Sequence, residues 1–214
     1  MAVPEPLRDV RLCVVGDELV AGAGDPRALG WVGRVAARTS REERRLTAFP
    51  LAVPGETTTA LAARWQAEAA LRWHGPDDRP PEPFERRLVV GLGVADLRHG
   101  VSTARSRLNL ANILDAAEAT GLEALVVGPP PASTRGPDAA VAAGVGDLSG
   151  AFADVCQRRR IRFVDTWTPL EGRDEWHADL AVEGGRYPGQ VGYGLMAWLV
   201  LHAGWNAWLG IEEG

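Results

Sequence analysis

Apolar positions in this chain fall into short β-branched runs that alternate with longer stretches at helical spacing. Val10 to Val15 predicts a first strand, broken by Gly16. Gly30 to Arg38 predicts a helix, with Trp31, Val35 and Arg38 along it. Leu46 to Val53 predicts a second strand. Thr57 to Trp73 predicts a long helix, capped by Thr57 or Thr58, with Leu61, Trp65 and Leu71 on its apolar side. Leu88 to Leu92 predicts strand three, Arg105 to Ala119 a helix, and Ala124 to Val127 strand four. Val145 to Arg159 predicts a helix and Arg162 to Asp165 strand five. Leu195 to Trp208 closes the pattern as a Trp-rich helix. Between the second helix and strand three, Gly75 to Pro83 is rich in Pro and Asp, and residues 76–83 read as a flexible loop.

Five apolar strands separated by helices imply a parallel sheet covered on both faces. The expected fold class is therefore α/β: a three-layer α/β/α sandwich around a central five-stranded parallel sheet. The 214 residues suffice for one domain, 1–214, and no internal repeat is visible. Most of the eight Trp residues lie on helical patterns and are expected to pack the helix–sheet seams.

Composition narrows the function classes. Hydrophobic residues make up 46% and charged residues 24%, with a net charge of −5, so there is no basic field for nucleic acid. All 23 cationic residues are Arg, which together with the many Ala, Gly and Pro points to a GC-rich genome. No apolar run is long enough to span a bilayer, and Met1 to Asp9 has no apolar signal region, so the expected location is the cytoplasm. Cys13 and Cys156 form no CxxC or Cys/His cluster and are expected to be buried thiols. The histidines lack an i, i+4 pair, so no metal is expected. Gly22-x-Gly24 lacks the next glycine of a dinucleotide fingerprint, so no cofactor is expected either.

The chemistry-bearing segment is Val14-Val15-Gly16-Asp17-Glu18-Leu19. In α/β folds ligands collect at the carboxyl ends of the strands, so Asp17 and Glu18 face the expected site. A Glu in the first turn of a helix is also favoured by the helix dipole, and the local sequence alone allows that plainer role. The segment resembles the Gly-Asp-Ser-Leu block of the SGNH, or GDSL, family of esterases and lipases, with Glu18 at the serine. The resemblance runs over nearly the whole chain. Gly22 to Pro26 and Gly30 to Arg34 look like the loop and helix that follow the first block. Ala52 to Thr58 looks like the second block, in which Gly55 would donate an oxyanion hydrogen bond. Gly93-Val94-Ala95-Asp96 looks like the third block, Gly-x-Asn-Asp, with Ala95 at the asparagine. Val126 to Pro131 is similar to the strand-four exit of an actinobacterial-looking branch. Gly184 to Pro188 looks like the last block, Asp-Gly-x-His-Pro, with Gly184 at the aspartate and Tyr187 at the histidine.

The resemblance implies the SGNH fold with the nucleophile, an oxyanion donor, the orienting acid and the base all replaced. Serine hydrolysis needs a hydroxyl nucleophile, a base and a group that orients the base. Loss of one oxyanion donor alone costs about 3 to 4 kcal/mol. No substitute is evident: His99 and His177 read as loop histidines, and Ser102, Ser106 and Ser149 sit in no nucleophile elbow. Three readings follow. In the leading one the domain is a pseudoenzyme that keeps a pocket for a small-molecule ligand, with Asp17, Gly55, Ala95, Asp96 and Arg186 binding it. In the second it is a non-hydrolytic enzyme, an isomerase, cyclase or lyase, with Glu18 as general acid or base and Tyr187 as a donor. In the third it is an acyl hydrolase with an unrecognised nucleophile. Nothing in the sequence names a protein partner.

Overall fold

In a computed structural model, the structure describes residues 8–40, 44–73, 84–182 and 184–211. Five parallel strands form one sheet in the order β2-β1-β3-β4-β5. They are β1 (Arg8–Gly16), β2 (Arg44–Ala52), β3 (Glu85–Gly91), β4 (Glu123–Val127) and β5 (Arg162–Val164). The helices in chain order are α1 (Glu18–Ala21), α2 (Gly30–Thr39), α3 (Thr58–Trp73), α4 (Ala95–Arg98) and α5 (Thr103–Ala119). They continue with α6 (Val145–Arg159), α7 (Trp167–Glu171), α8 (Asp174–Val182), α9 (Gln190–Val200) and α10 (Asn206–Trp208).

Alternation along the strands builds two cores. Val10, Leu12 and Val14 of β1 face one layer, where they meet Trp31 and Val35 of α2, Trp176 of α8 and Met196 of α9. Cys13 and Val15 face the other, with Leu61 and Trp65 of α3, Leu110 and Ile113 of α5 and Phe152 of α6. Both sheet faces are thus covered, as parallel strands require. The expected sandwich is the observed one.

Several sequence expectations are corrected. Leu71 is 70% exposed, and Ala69 takes its place in the core. The reason is angular: residues 61, 65 and 69 share one stripe of a 3.6-residue helix, and residue 71 does not. Leu195 to Trp208 is not one helix, because α9 ends at Val200 and non-helical backbone at Ala203 and Gly204 kinks the chain before α10. Gly204 has φ of 80°, and the Arg162 guanidinium donates to the Ala203 carbonyl at 2.9 Å, occupying the side where a Cβ on Gly204 would lie. The short helices α1, α4, α7 and α8 lie in segments read as connections. Val53, Leu92 and Asp165 fall just beyond their strands. The loop expected at 76–83 lies outside the described residues.

The strand tips are shaped by glycine. A Cβ on Gly16 would lie 1.8 Å from the Gly91 carbonyl oxygen of the neighbouring strand. This close approach ends β1 and β3 side by side and turns the chain into the segment that carries Asp17 and Glu18.

Candidate functional site

The first site residue is placed by a cap. Asp17 is extended (φ −93°) and its Oδ1 accepts the Leu19 N–H at 3.0 Å, which starts the single turn α1. Gly22, at φ 74°, closes that turn in the left-handed region. Glu18 is the first residue of α1 and is only 7% exposed. It both starts the helix and lines the cavity described below.

Glu18 Oε2 accepts the backbone N–H of Gly55 at 2.6 Å. Its Oε1 lies 3.6 Å from Nη1 of Arg98 at the end of α4. That guanidinium is gripped from behind: Nε donates to Asp138 Oδ1 at 2.8 Å and Nη2 to Asp138 Oδ2 at 3.0 Å. The two parallel bonds fix its plane. Asp138, 4% exposed, thus orients Arg98 toward Glu18. Burial is the main cause that pushes the Asp17 carboxyl up to about 7, and the charge of Glu18 adds to it. Beneath the site the buried Glu56 pairs with Arg64, whose Nη2 also donates to the Leu51 carbonyl at 2.8 Å. Burial raises the pKa of Glu56 and the guanidinium opposes the rise.

Asp17, Glu18 and Arg98 line an inner cavity with Asp138, Ser133, Trp176 and Arg186. Its volume is about 30 Å3, far below that of a metabolite-sized pocket. Beside it runs a groove of about 570 Å3 between the segment after β4 and α8. Ser133 and Gly185 line both.

Of the residues singled out from sequence, Asp17, Glu18 and Arg186 meet at the inner cavity, and Gly55 joins them through its N–H. Ala95 and Asp96 are buried in α4 and do not line it. Asp96 instead accepts the backbone N–H of Thr58 at 2.8 Å and its hydroxyl at 2.7 Å, capping α3. Tyr187 does not line the cavity either. Its Cβ packs on Gly24, and its ring lies 5.7 Å from the Arg186 guanidinium carbon. Arg98, Asp138, Ser133 and Trp176 were not singled out from the sequence. Arg98 was detectable only through its position two residues after Asp96, one of 23 arginines.

Several of the other candidates have structural partners. His99 and His202 are exposed; His202 stacks on Trp198. His177 Nε2 lies 2.5 Å from the Glu171 carbonyl oxygen. Ser102 caps α5 by accepting the Arg105 N–H, and Ser106 donates back to the Ser102 carbonyl. Both buried thiols, Cys13 and Cys156, are free, and burial pushes each up to about 12, which suits packing rather than nucleophilic attack. Among the described residues no group of three or more His, Cys, Asp or Glu is arranged to hold a metal ion. Among them, too, no helix is long and apolar enough to cross a membrane.

Comparison with known proteins places this geometry. A family model described as GDSL-like lipase/acylhydrolase matches residues 14–195. Among solved structures, the chain is similar to a lipase/acylhydrolase from Enterococcus faecalis, at 22% identity, TM-score 0.65, covering 91% of this chain and 94% of that one. It is similar to a psychrotrophic esterase from a Pseudoalteromonas species, at 16% identity and TM-score 0.66, covering 94% and 98%. It is also similar to an acetylxylan esterase from Geobacillus stearothermophilus, at 16% identity and TM-score 0.68, covering 94% of each chain. At these identities the structures establish a shared fold. No curated protein matches the chain by sequence.

Proposed function

The chain belongs to the GDSL-like lipase/acylhydrolase family, and from that premise we propose that it is a pseudoenzyme that binds a small-molecule ligand and performs no serine ester hydrolysis. One observation carries the reading: the Gly55 N–H donates to the carboxylate of Glu18 at 2.6 Å. By family resemblance Gly55 is an oxyanion donor and Glu18 stands where the nucleophile would be. An oxyanion hole works because its donors wait, unoccupied, for charge that develops in the transition state. Here a side-chain carboxylate already uses the donor and faces Arg98. A second anion at that point would meet like charge and find the donor taken.

The remaining positions support the same reading. Ala95 has no side-chain amide to donate, Gly184 has no side-chain carboxyl, and Tyr187 packs on Gly24 and does not line the cavity. The reading also keeps the cytoplasmic expectation, supported by two buried thiols that remain unpaired.

A second reading rests on Asp17. A carboxyl raised to about 7 at the wall of a cavity suits proton transfer near neutral pH. A non-hydrolytic acid/base enzyme would then use Asp17 together with Glu18.

The test of the leading reading is direct. Purified protein should not turn over p-nitrophenyl acetate or butyrate above buffer, and a fluorophosphonate probe should label no serine. Turnover accompanied by stoichiometric labelling of one serine would overturn it.

A further inference from the structure

The inner cavity is small, about 30 Å3, so a ligand of metabolite size must have most of its body elsewhere. The adjoining groove, at about 570 Å3, falls in the range of ligand pockets. We propose that this groove binds an oxyanion group, carboxylate or phosphate, carried by the protein's ligand; the proposal rests on the ligand-binding reading above.

The lining decides the chemistry. Ser133, Thr134, Arg135 and His177 supply the polar groups, and the rest is Ala178, Ala181, Gly184 and Gly185. Three of those side chains, Ser133, Thr134 and Arg135, are donors open to a ligand, while His177 Nε2 is taken by the Glu171 carbonyl. Among the described residues that line the groove there is no carboxylate and no aromatic ring of Trp, Tyr or Phe. A sugar face would want an aromatic platform. An oxyanion wants what is there. Arg135 is exposed, and among the described residues its guanidinium has no ion-pair partner. The Ser133 hydroxyl oxygen accepts the Arg135 N–H at 3.1 Å, which leaves its proton to donate. A second arginine, Arg186, stands at the edge of the inner cavity beyond Ser133 and Gly185.

The walls are built rather than incidental. A Cβ on Gly185 would lie 2.2 Å from the Arg135 carbonyl oxygen, and one on Gly136 would lie 2.3 Å from the Gly184 carbonyl oxygen. The two segments touch backbone to backbone, with φ of 95° at Gly136 and 78° at Gly185. Trp176 Nε1 donates to the Pro131 carbonyl at 3.0 Å and pins α8 to the other wall. The backbone that carries Ser133, Arg135 and Gly185 is therefore set before any ligand arrives, which lowers that part of the ordering cost of binding.

The experiment is amide NMR of the full chain, titrated separately with inorganic phosphate and with acetate. Saturable shifts at residues 133–136, 184 and 185 are expected for at least one of them. Phosphate alone points to a phosphorylated ligand, acetate alone to a carboxylic acid, and both leave the shared oxyanion chemistry standing. Arg135→Ala should weaken that binding by about tenfold or more; Arg135→Lys should restore part of it. Arg173→Ala, which removes an exposed arginine paired with Glu175 outside the groove, should change nothing. Arg135 is exposed, so the variants should keep the native amide spectrum. Absence of saturable shifts with both anions, or equal weakening by Arg173→Ala, would overturn the proposal. Ester turnover measured on the same sample separates the failures. Turnover with groove binding intact would sink the pseudoenzyme reading alone, whereas a silent groove without turnover would sink only this one.

Discussion

Asp17 does two jobs that pull against each other. Its carboxyl caps α1, yet it is 3% exposed beside Glu18. The folded-state pKa rises from 3.8 to about 7. A raised carboxyl binds a proton in the folded state that the unfolded chain has already lost. Stability from this group is therefore complete below pH 3.8 and is lost as the pH climbs through 7. At 1.36 kcal/mol per unit, the loss has a ceiling of about 4 kcal/mol. Asp17→Asn keeps a cap for Leu19 but cannot ionise. It should be more stable than wild type at pH 8, and the gap should close toward pH 4. Urea unfolding at the two values checks this; equal stability at pH 8 would mean Asp17 is not strained by burial. The pairing of Asp17 with Glu18 was legible in the sequence as two acids after a strand. The grip of Asp138 on Arg98 was not, because 40 residues separate them and only the meeting of α4 with the segment after β4 brings them together.

At the element scale the two cores divide the glycines by environment. Gly16 sits where β1 crowds β3, with φ of 151° and no space for a methyl group. Gly16→Ala must push the strands apart or distort the turn that carries Asp17, and should destabilise by about 3 kcal/mol or more. Gly150 lies inside α6, where an added Cβ would meet nothing within 4 Å. Gly150→Ala should stabilise by about 0.5 to 1 kcal/mol, because alanine loses less backbone entropy in a helix. Thermal melts of the two variants should move in opposite directions. The strands and the long helices were legible because their periods are regular. The kink after Val200 was not. It depends on Arg162 reaching the Ala203 carbonyl from β5, a tertiary contact that no local pattern records. The one-turn helices α1 and α4 were hidden for a similar reason: each is too short to show a period, and α1 is started by its Asp17 cap.

At the scale of the whole molecule, the site sits where the carboxyl ends of β1 and β3 meet the turns after β2 and β4, as a parallel sheet dictates. On the proposed reading, the family's glycines and prolines stand around a different set of reactive groups, so repair is a fair test of which part fails. Glu18→Ser alone would free the Gly55 N–H and supply a hydroxyl. It would not supply a base, because no histidine lines the inner cavity among the described residues. Its expected activity on p-nitrophenyl acetate is that of wild type, none above buffer. The combination Glu18→Ser, Ala95→Asn, Gly184→Asp and Tyr187→His restores all four roles on the matching positions. Gly184 has φ of 66° and open space around it, a conformation that aspartate adopts more readily than most residues. Ala95, only 2% exposed, is the tighter fit and sets the stability cost of the combination. Measurable turnover from the fourfold variant, with none from the single one, is the expected outcome. Turnover from Glu18→Ser alone would reveal a working base in the present chain, with His177 the first to replace by alanine. The proposal that the site has lost its hydrolytic machinery would then fall.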